Sequence, residues 1–167
     1  IDSATGNETS DVSKWSWSKV IDDTGPVTSA VARLQKQSKG ILWLFFGTGR
    51  YYFELQSTVD DQDGQRRLFG IKDPCFSTTG FAASCPAAIS GTTGLTNVDS
   101  IANANAITNP DDPSFNGWYI DLDSSDITAG FRAERVITDP LSTISGLVFY
   151  STYKPYKDIC KLGGKTF

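Results

Sequence analysis

Ile41-Leu42-Trp43-Leu44-Phe45-Phe46 is the stretch that decides the fold. Gly40 precedes it, and Gly47-Thr48-Gly49 breaks it. Successive side chains of a strand point to opposite faces. A run that is apolar at every position therefore predicts a central strand with both faces covered. At six residues it is the longest fully apolar run in the chain, far short of the roughly 18 that a membrane span requires. Upstream, Ile21–Pro26 reads as a turn and Val27–Gln35 as extended chain. Farther upstream, Ser13–Lys19 alternates aromatic and polar residues, which predicts a strand burying Trp15 and Trp17 on one face.

Downstream, Arg50-Tyr51-Tyr52-Phe53 resumes the β pattern, Asp60–Gly64 is a turn or loop, and Arg67–Ile71 is a short strand closed by Asp73-Pro74. Gly117–Leu122, Phe131–Thr138 and Gly146–Thr152 are further strands. Helical periodicity is nearly absent. Between Cys75 and Pro113 the chain is rich in Ser, Thr, Ala, Asn and Gly, which marks an irregular insertion over 76–113. A short turn of helix is expected within Leu95–Asn105. About eight short strands make an all-β chain, and two packed sheets, a barrel or propeller blades all fit. A blade has about four strands, so this length supplies roughly two blades of a larger ring.

Composition narrows the chemistry. The chain has 167 residues, of which 39% are apolar and 12% aromatic, enough to bury a sizeable core. It has no His, which removes Ser-His-Asp triads, Cys-His dyads and His metal ligands. Its three Cys cannot build a four-Cys zinc site. It has no Met, so it is expected to be a processed product or a piece of a longer one. Fifteen basic and 19 acidic residues give a net charge of −4, with no basic stripe, which argues against nucleic acid. With no signal-peptide pattern left, the chain reads as a soluble, mature piece.

Several residues invite a functional reading. In Gly47-Thr48-Gly49-Arg50 the glycines permit close backbone approach after the central strand, so a structural turn is expected; phosphate cradling lacks the required spacing. Gly117-Trp118 reads as a strand start with a core aromatic, and a sugar-stacking platform is the alternative. Glu134-Arg135 is expected to form a buried pair between blades. Two acidic clusters, Asp61-Gln62-Asp63-Gly64 and Asp121-x-Asp123-x-x-Asp126, read as solvated surface. An EF-type loop around the first would need carboxylates at Val59 and Gly70. No cofactor is assigned, and a weak oxygen-ligated calcium site stays open at either cluster. Asn7-Glu8-Thr9 reads as a surface turn. Cys75 and Cys85 flank an irregular loop, and a disulfide between them is expected in an oxidising compartment; three free thiols in a cytosolic protein is the alternative.

Seven motifs occur together in order: DSATG at 2–6, LWLFFGTGRYY at 42–52, LFGIKDPC at 68–75, GWYIDL at 117–122, ERVITDPL at 134–141, LVFYSTYKP at 147–155 and C-x-x-G-G at 160–164. With them the chain resembles the C-terminal β-propeller domain of the PilC/PilY family, the type IV pilus tip-associated adhesins and biogenesis factors. The resemblance covers almost the whole chain outside 77–113. It implies a single segment, 1–167, of a larger propeller in an exported bacterial protein at the cell surface or pilus tip. It further implies a non-enzymatic role in pilus biogenesis, adhesion or surface sensing. Implied partners are the rest of the propeller, pilin or minor pilins, and a host or surface ligand. The family's calcium loop has no counterpart here, and the resemblance implies that Cys160 pairs beyond Phe167. The competing readings are a quinoprotein-like propeller enzyme, which would need a vicinal Cys pair and calcium ligands that are missing, and a carbohydrate-binding β module using Trp15, Trp17 or Trp118.

Overall fold

A computed structural model describes residues 10–14, 17–51, 54–55, 58–59, 64–82, 84–126, 128–158, 160–161 and 163–167. Its regular structure is almost entirely β. Ala32–Lys36 and Ile41–Gly47 form an antiparallel hairpin, with Leu34 opposite Trp43. The turn between them is a 3-10 helix, Gln37–Lys39, closed by Gly40 in the left-handed region at φ 64°. A Cβ at Gly40 would stand 2.6 Å from the Thr78 backbone nitrogen, so both conformation and space call for glycine.

Arg67–Lys72 pairs antiparallel with Ile41–Gly47, placing Phe69 opposite Phe46. Gly117–Asp121 pairs antiparallel with Arg67–Lys72 in turn. These four strands make a meander in chain order, and Thr96–Asn97 adds a parallel edge beside Gly117–Asp121. The Ile41–Gly47 strand is interior, as its apolar run predicts, because different material covers each face. Ile41, Trp43 and Phe45 pack with Leu34, Phe115, Trp118 and Tyr150. Phe46 packs on the other face with Phe69 and Ile71, under Ile21, Ile89 and Leu95. Ring stacking follows the same division, Trp43 on Phe45 at 5.9 Å and Phe46 on Phe69 at 5.1 Å.

The Cys75–Pro113 stretch holds only two-residue strands and one five-residue helix. It is nevertheless tied to the body. Ile89–Ser90 pairs in parallel with Ile21–Asp22, and Ile89 and Leu95 help cover the second sheet face. The helix, Ile101–Asn105, lies inside the span expected to hold one. Ser100 caps it by accepting from the Asn103 N–H.

C-terminal to the meander, Arg135–Val136, Thr152–Pro155 and Gly164–Thr166 form a three-stranded antiparallel sheet. Leu141–Ser142 and Val148–Phe149 make a separate hairpin. Among the described residues no sheet closes into a barrel.

Some local expectations are corrected. The described residues of Ser13–Lys19 form no strand: Val12–Lys14 is a 3-10 turn in which Asp11 accepts from Ser13 N–H and Oγ–H, and Trp17 is 89% exposed. Alternation buries a face only where a second strand pairs with it, and none pairs there among the described residues. Trp15, Tyr52, Phe53 and residues 60–63 lie outside the described residues, as do the 2–6 motif and Asn7–Thr9. Phe131–Thr138 reduces to Arg135–Val136 plus isolated bridges from Phe131 to Asp126 and Tyr156. Gly146–Thr152 divides between two strands, and Gly164–Thr166 is a strand within a tail that reads as merely polar.

Candidate functional site

The residues singled out in the sequence fall into three places. The first is a seam between the five-stranded sheet and the C-terminal sheet. Thr48 is fully buried; its N–H donates to Arg67 O at 2.9 Å and its hydroxyl accepts from Arg67 N–H at 2.8 Å. Its carbonyl accepts from Val136 N–H at 3.0 Å, which joins the sheets. Gly49 donates to Pro26 O at 2.8 Å and accepts from the Thr28 hydroxyl at 3.0 Å. It sits at φ +131°, where an added Cβ would approach Arg135 Cβ to 2.5 Å. Gly47 lies against Val136 with no room for a side chain.

Arg135 is 2% exposed, so its charge must be met by acceptors. Its Nε donates to Ala133 O at 3.1 Å and its Nη1 to Arg50 O at 3.2 Å, 85 residues away in sequence. Neighbouring Glu134 turns elsewhere. It accepts from the Asp123 N–H at 3.3 Å and from the Thr152 hydroxyl. The seam thus spends its polar atoms on backbone amides and carbonyls, the chemistry of a joint.

The second place is an aromatic groove of about 560 Å³. Trp43, Phe45, Phe115 and Trp118 line it, together with Ile107, Ile144 and Leu147. Trp118 is held in place by Gly70, where any Cβ would overlap the indole, and by Phe45 and Tyr150 at ring distances of 6.3 and 6.5 Å. Tyr150 donates to Phe69 O at 2.7 Å, and burial pushes its phenol far above the ordinary range. The groove's charged group, Lys36, is bonded to Asp111 at 3.0 Å; that hydrogen bond, ahead of opposing desolvation, holds the Asp111 carboxyl below its usual range. Ile144 is fully exposed, and Leu141, Leu147 and Phe149 of the same hairpin are also exposed. A groove of this kind offers an apolar surface on which another apolar surface can dock. The sequence marks Trp118 as a core aromatic but does not mark Ile107 and Leu147, 40 residues apart, as parts of one groove.

The third place is the base of the insertion. Cys75 and Cys85 have Cα atoms 4.9 Å apart and sulfurs at disulfide distance. Ala82 N–H donates to Cys75 O at 2.7 Å, closing the same loop. Cys160 is an exposed thiol. In the second acidic cluster, Asp121 pairs with Arg67 at 2.7 Å, Asp123 pairs with Lys154 at 2.9 Å, and Asp126 accepts from Ala129 N–H. Among the described residues no three His, Cys, Asp or Glu side chains gather as a metal would require. Among them, too, no helix is long and apolar enough to cross a membrane.

No protein-family model and no solved structure matches the chain. Among curated proteins, it is 30% identical over 149 residues to the type IV pilus biogenesis factor PilY1 homolog of Xylella fastidiosa (strain Temecula1 / ATCC 700964). The match takes in 85% of this chain and 11% of that protein, so the chain spans about a tenth of the length of the relative it resembles.

Proposed function

We propose that this chain is a segment of a β-propeller in a type IV pilus-associated protein at the cell surface, and that it serves pilus biogenesis as a scaffold without catalysis. The observation that carries this reading is the similarity, over 85% of the chain, to a pilus biogenesis factor. The geometry supports it. A four-stranded antiparallel meander has the form of a propeller blade, and the C-terminal sheet abuts it along the Gly47–Arg50 seam as a following blade would. In this reading the rest of the ring, pilin or minor pilins, and a host or surface ligand are the partners. Adhesion and surface sensing at the pilus tip would then be properties of the loops, of which 76–113 is the longest. The test is an in-frame deletion of this segment from the parent protein in a piliated bacterium. Sheared surface pili and adhesion are then measured, with export of the shortened protein confirmed. Loss of either supports the proposal, and unchanged piliation and adhesion overturn it.

A second reading, carbohydrate binding, is favoured by one observation. Trp17 is 89% exposed and lines a cleft with Phe81 and Lys19 beside the Cys75–Cys85 pair. An exposed indole beside polar groups can stack on a sugar face. A glycan array probed with the intact chain and with Trp17→Ala separates the readings, since a signal lost in the variant favours the lectin-like one.

A further inference from the structure

A second cavity, of about 720 Å³, is lined in part by the insertion. Ile41, Phe76, Ile89, Phe115 and Pro86 line it, together with Asp73. Asp73 is fixed from both sides. Its N–H donates to Leu42 O at 2.9 Å, and its carbonyl accepts from Phe76 N–H at 3.3 Å. One carboxyl oxygen, Oδ1, accepts from Cys75 N–H at 2.8 Å. Among the described residues no donor meets Oδ2 and no cation pairs with the group. Lys39 and Lys72 stand in the same lining, and neither forms an ion pair with Asp73. Lys72 Nζ donates to Asp112 O at 2.7 Å and lies over the Trp43 and Phe115 rings at 5.5 Å, while Lys39 and Lys72 both act on Asp111. Partial burial without a counter-ion pushes the Asp73 carboxyl above its usual range.

A desolvated carboxylate at the edge of an apolar, proline-flanked cavity is a cost that a cationic ligand removes. Phe76 and Phe115 offer surface for methylene groups, and Oδ2 offers an acceptor for a charged N–H. We propose that this cavity binds an alkylammonium group, with the ammonium on Asp73 Oδ2 and the stem along the apolar walls. The cavity shares Phe115 with the aromatic groove, and the proposal does not depend on the pilus reading. The same chemistry is presented by a lysine side chain of a partner protein and by a free small amine.

The test is an NMR titration of the 15N-labelled 167-residue chain with N-acetyl-lysine methylamide, its uncharged isostere N-acetyl-norleucine methylamide, and n-butylamine. Saturable shifts with the lysine compound, at least about tenfold weaker with the norleucine one, are expected; tenfold corresponds to 1.4 kcal/mol. Binding of n-butylamine as well as the lysine compound would point to a small amine, and its failure to bind would point to a partner's lysine. Asp73→Asn keeps an acceptor for Cys75 N–H and should lose at least about tenfold in lysine-compound affinity. Equal binding of lysine and norleucine compounds, no saturable binding of the lysine compound, or undiminished binding by a folded Asp73→Asn chain would each overturn the proposal. Should that variant fail to fold, the lysine–norleucine comparison on the unaltered chain decides alone.

Discussion

Gly47 and Val136 pack so closely that a methyl group at position 47 would lie within the Val136 side chain. Val136 is fully buried and its N–H is tied to Thr48 O, so it has little freedom to retreat. Gly47→Ala is therefore expected to cost about 1–3 kcal/mol through overpacking. Val136→Ala alone leaves a void and should cost on the order of 2 kcal/mol. The double variant should cost clearly less than the sum, because each change relieves the other. Urea denaturation of the four proteins measures this, and strictly additive costs would show that the contact is not what demands glycine.

The covalent tie at the insertion base gives a second expectation. A Cys75–Cys85 disulfide closes a short loop, and in the chain-entropy view it stabilises the fold by about 3 kcal/mol. A non-reducing mass should be two hydrogens below that of the reduced chain. The Cys75→Ser, Cys85→Ser double variant should unfold at lower denaturant. A mass equal to the fully reduced chain would remove the bond.

Tyr150 joins the groove to the central sheet through its hydroxyl. Tyr150→Phe keeps the ring packing and deletes the bond to Phe69 O, so it should cost about 1 kcal/mol. Because burial raises the folded phenol above the ordinary value near 10, the group favours the fold below that pH. The favour is lost as pH rises through the folded value. An alkaline titration followed at 295 nm should find one tyrosine that ionises only as the chain unfolds. Complete ionisation of every tyrosine in the folded chain would contradict this.

Asp73 has the opposite consequence to an ion-paired carboxylate. Its folded value is raised by desolvation, so the fold prefers the protonated form. Its contribution to stability is full below the ordinary carboxyl value of 3.8 and is lost as pH rises through the folded value. Asp73→Asn should therefore melt at or above the unaltered chain at pH 7, with the gap closing as the pH is lowered toward 4. Thermal melts at both pH values test the sign, and a variant less stable at pH 7 than at pH 4, relative to the unaltered chain, would reverse it.

Much of the strand pattern is legible from local order. Ile41–Phe46, Arg67–Ile71 and Gly117–Leu122 carry uninterrupted β signals, and all three stand in the central sheet. Ser13–Lys19 carries an equally regular alternation, yet its described residues form no strand, because a strand exists only where a neighbour accepts its backbone bonds. The candidate docking groove was half legible. Trp118 stands out as an aromatic in a strand, but nothing in the sequence marks Ile107 and Leu147 as lining the same groove.

The amino-acid sequence by itself determined that the chain is β-rich, that Ile41–Phe46 is covered on both faces, that Cys75 and Cys85 can meet, and that histidine-dependent chemistry is absent. These are statements about side-chain period, spacing and inventory, which are local. Only the tertiary structure decided that Gly47, Thr48 and Gly49 serve as the contact surface for Arg135 and Val136, that Trp17 is exposed, and that Asp73 lines a cavity without forming an ion pair. A period of two tells which side chains share a face, but not what arrives to cover that face. That is settled by which distant segments bury the most apolar surface while leaving the fewest polar groups unmet.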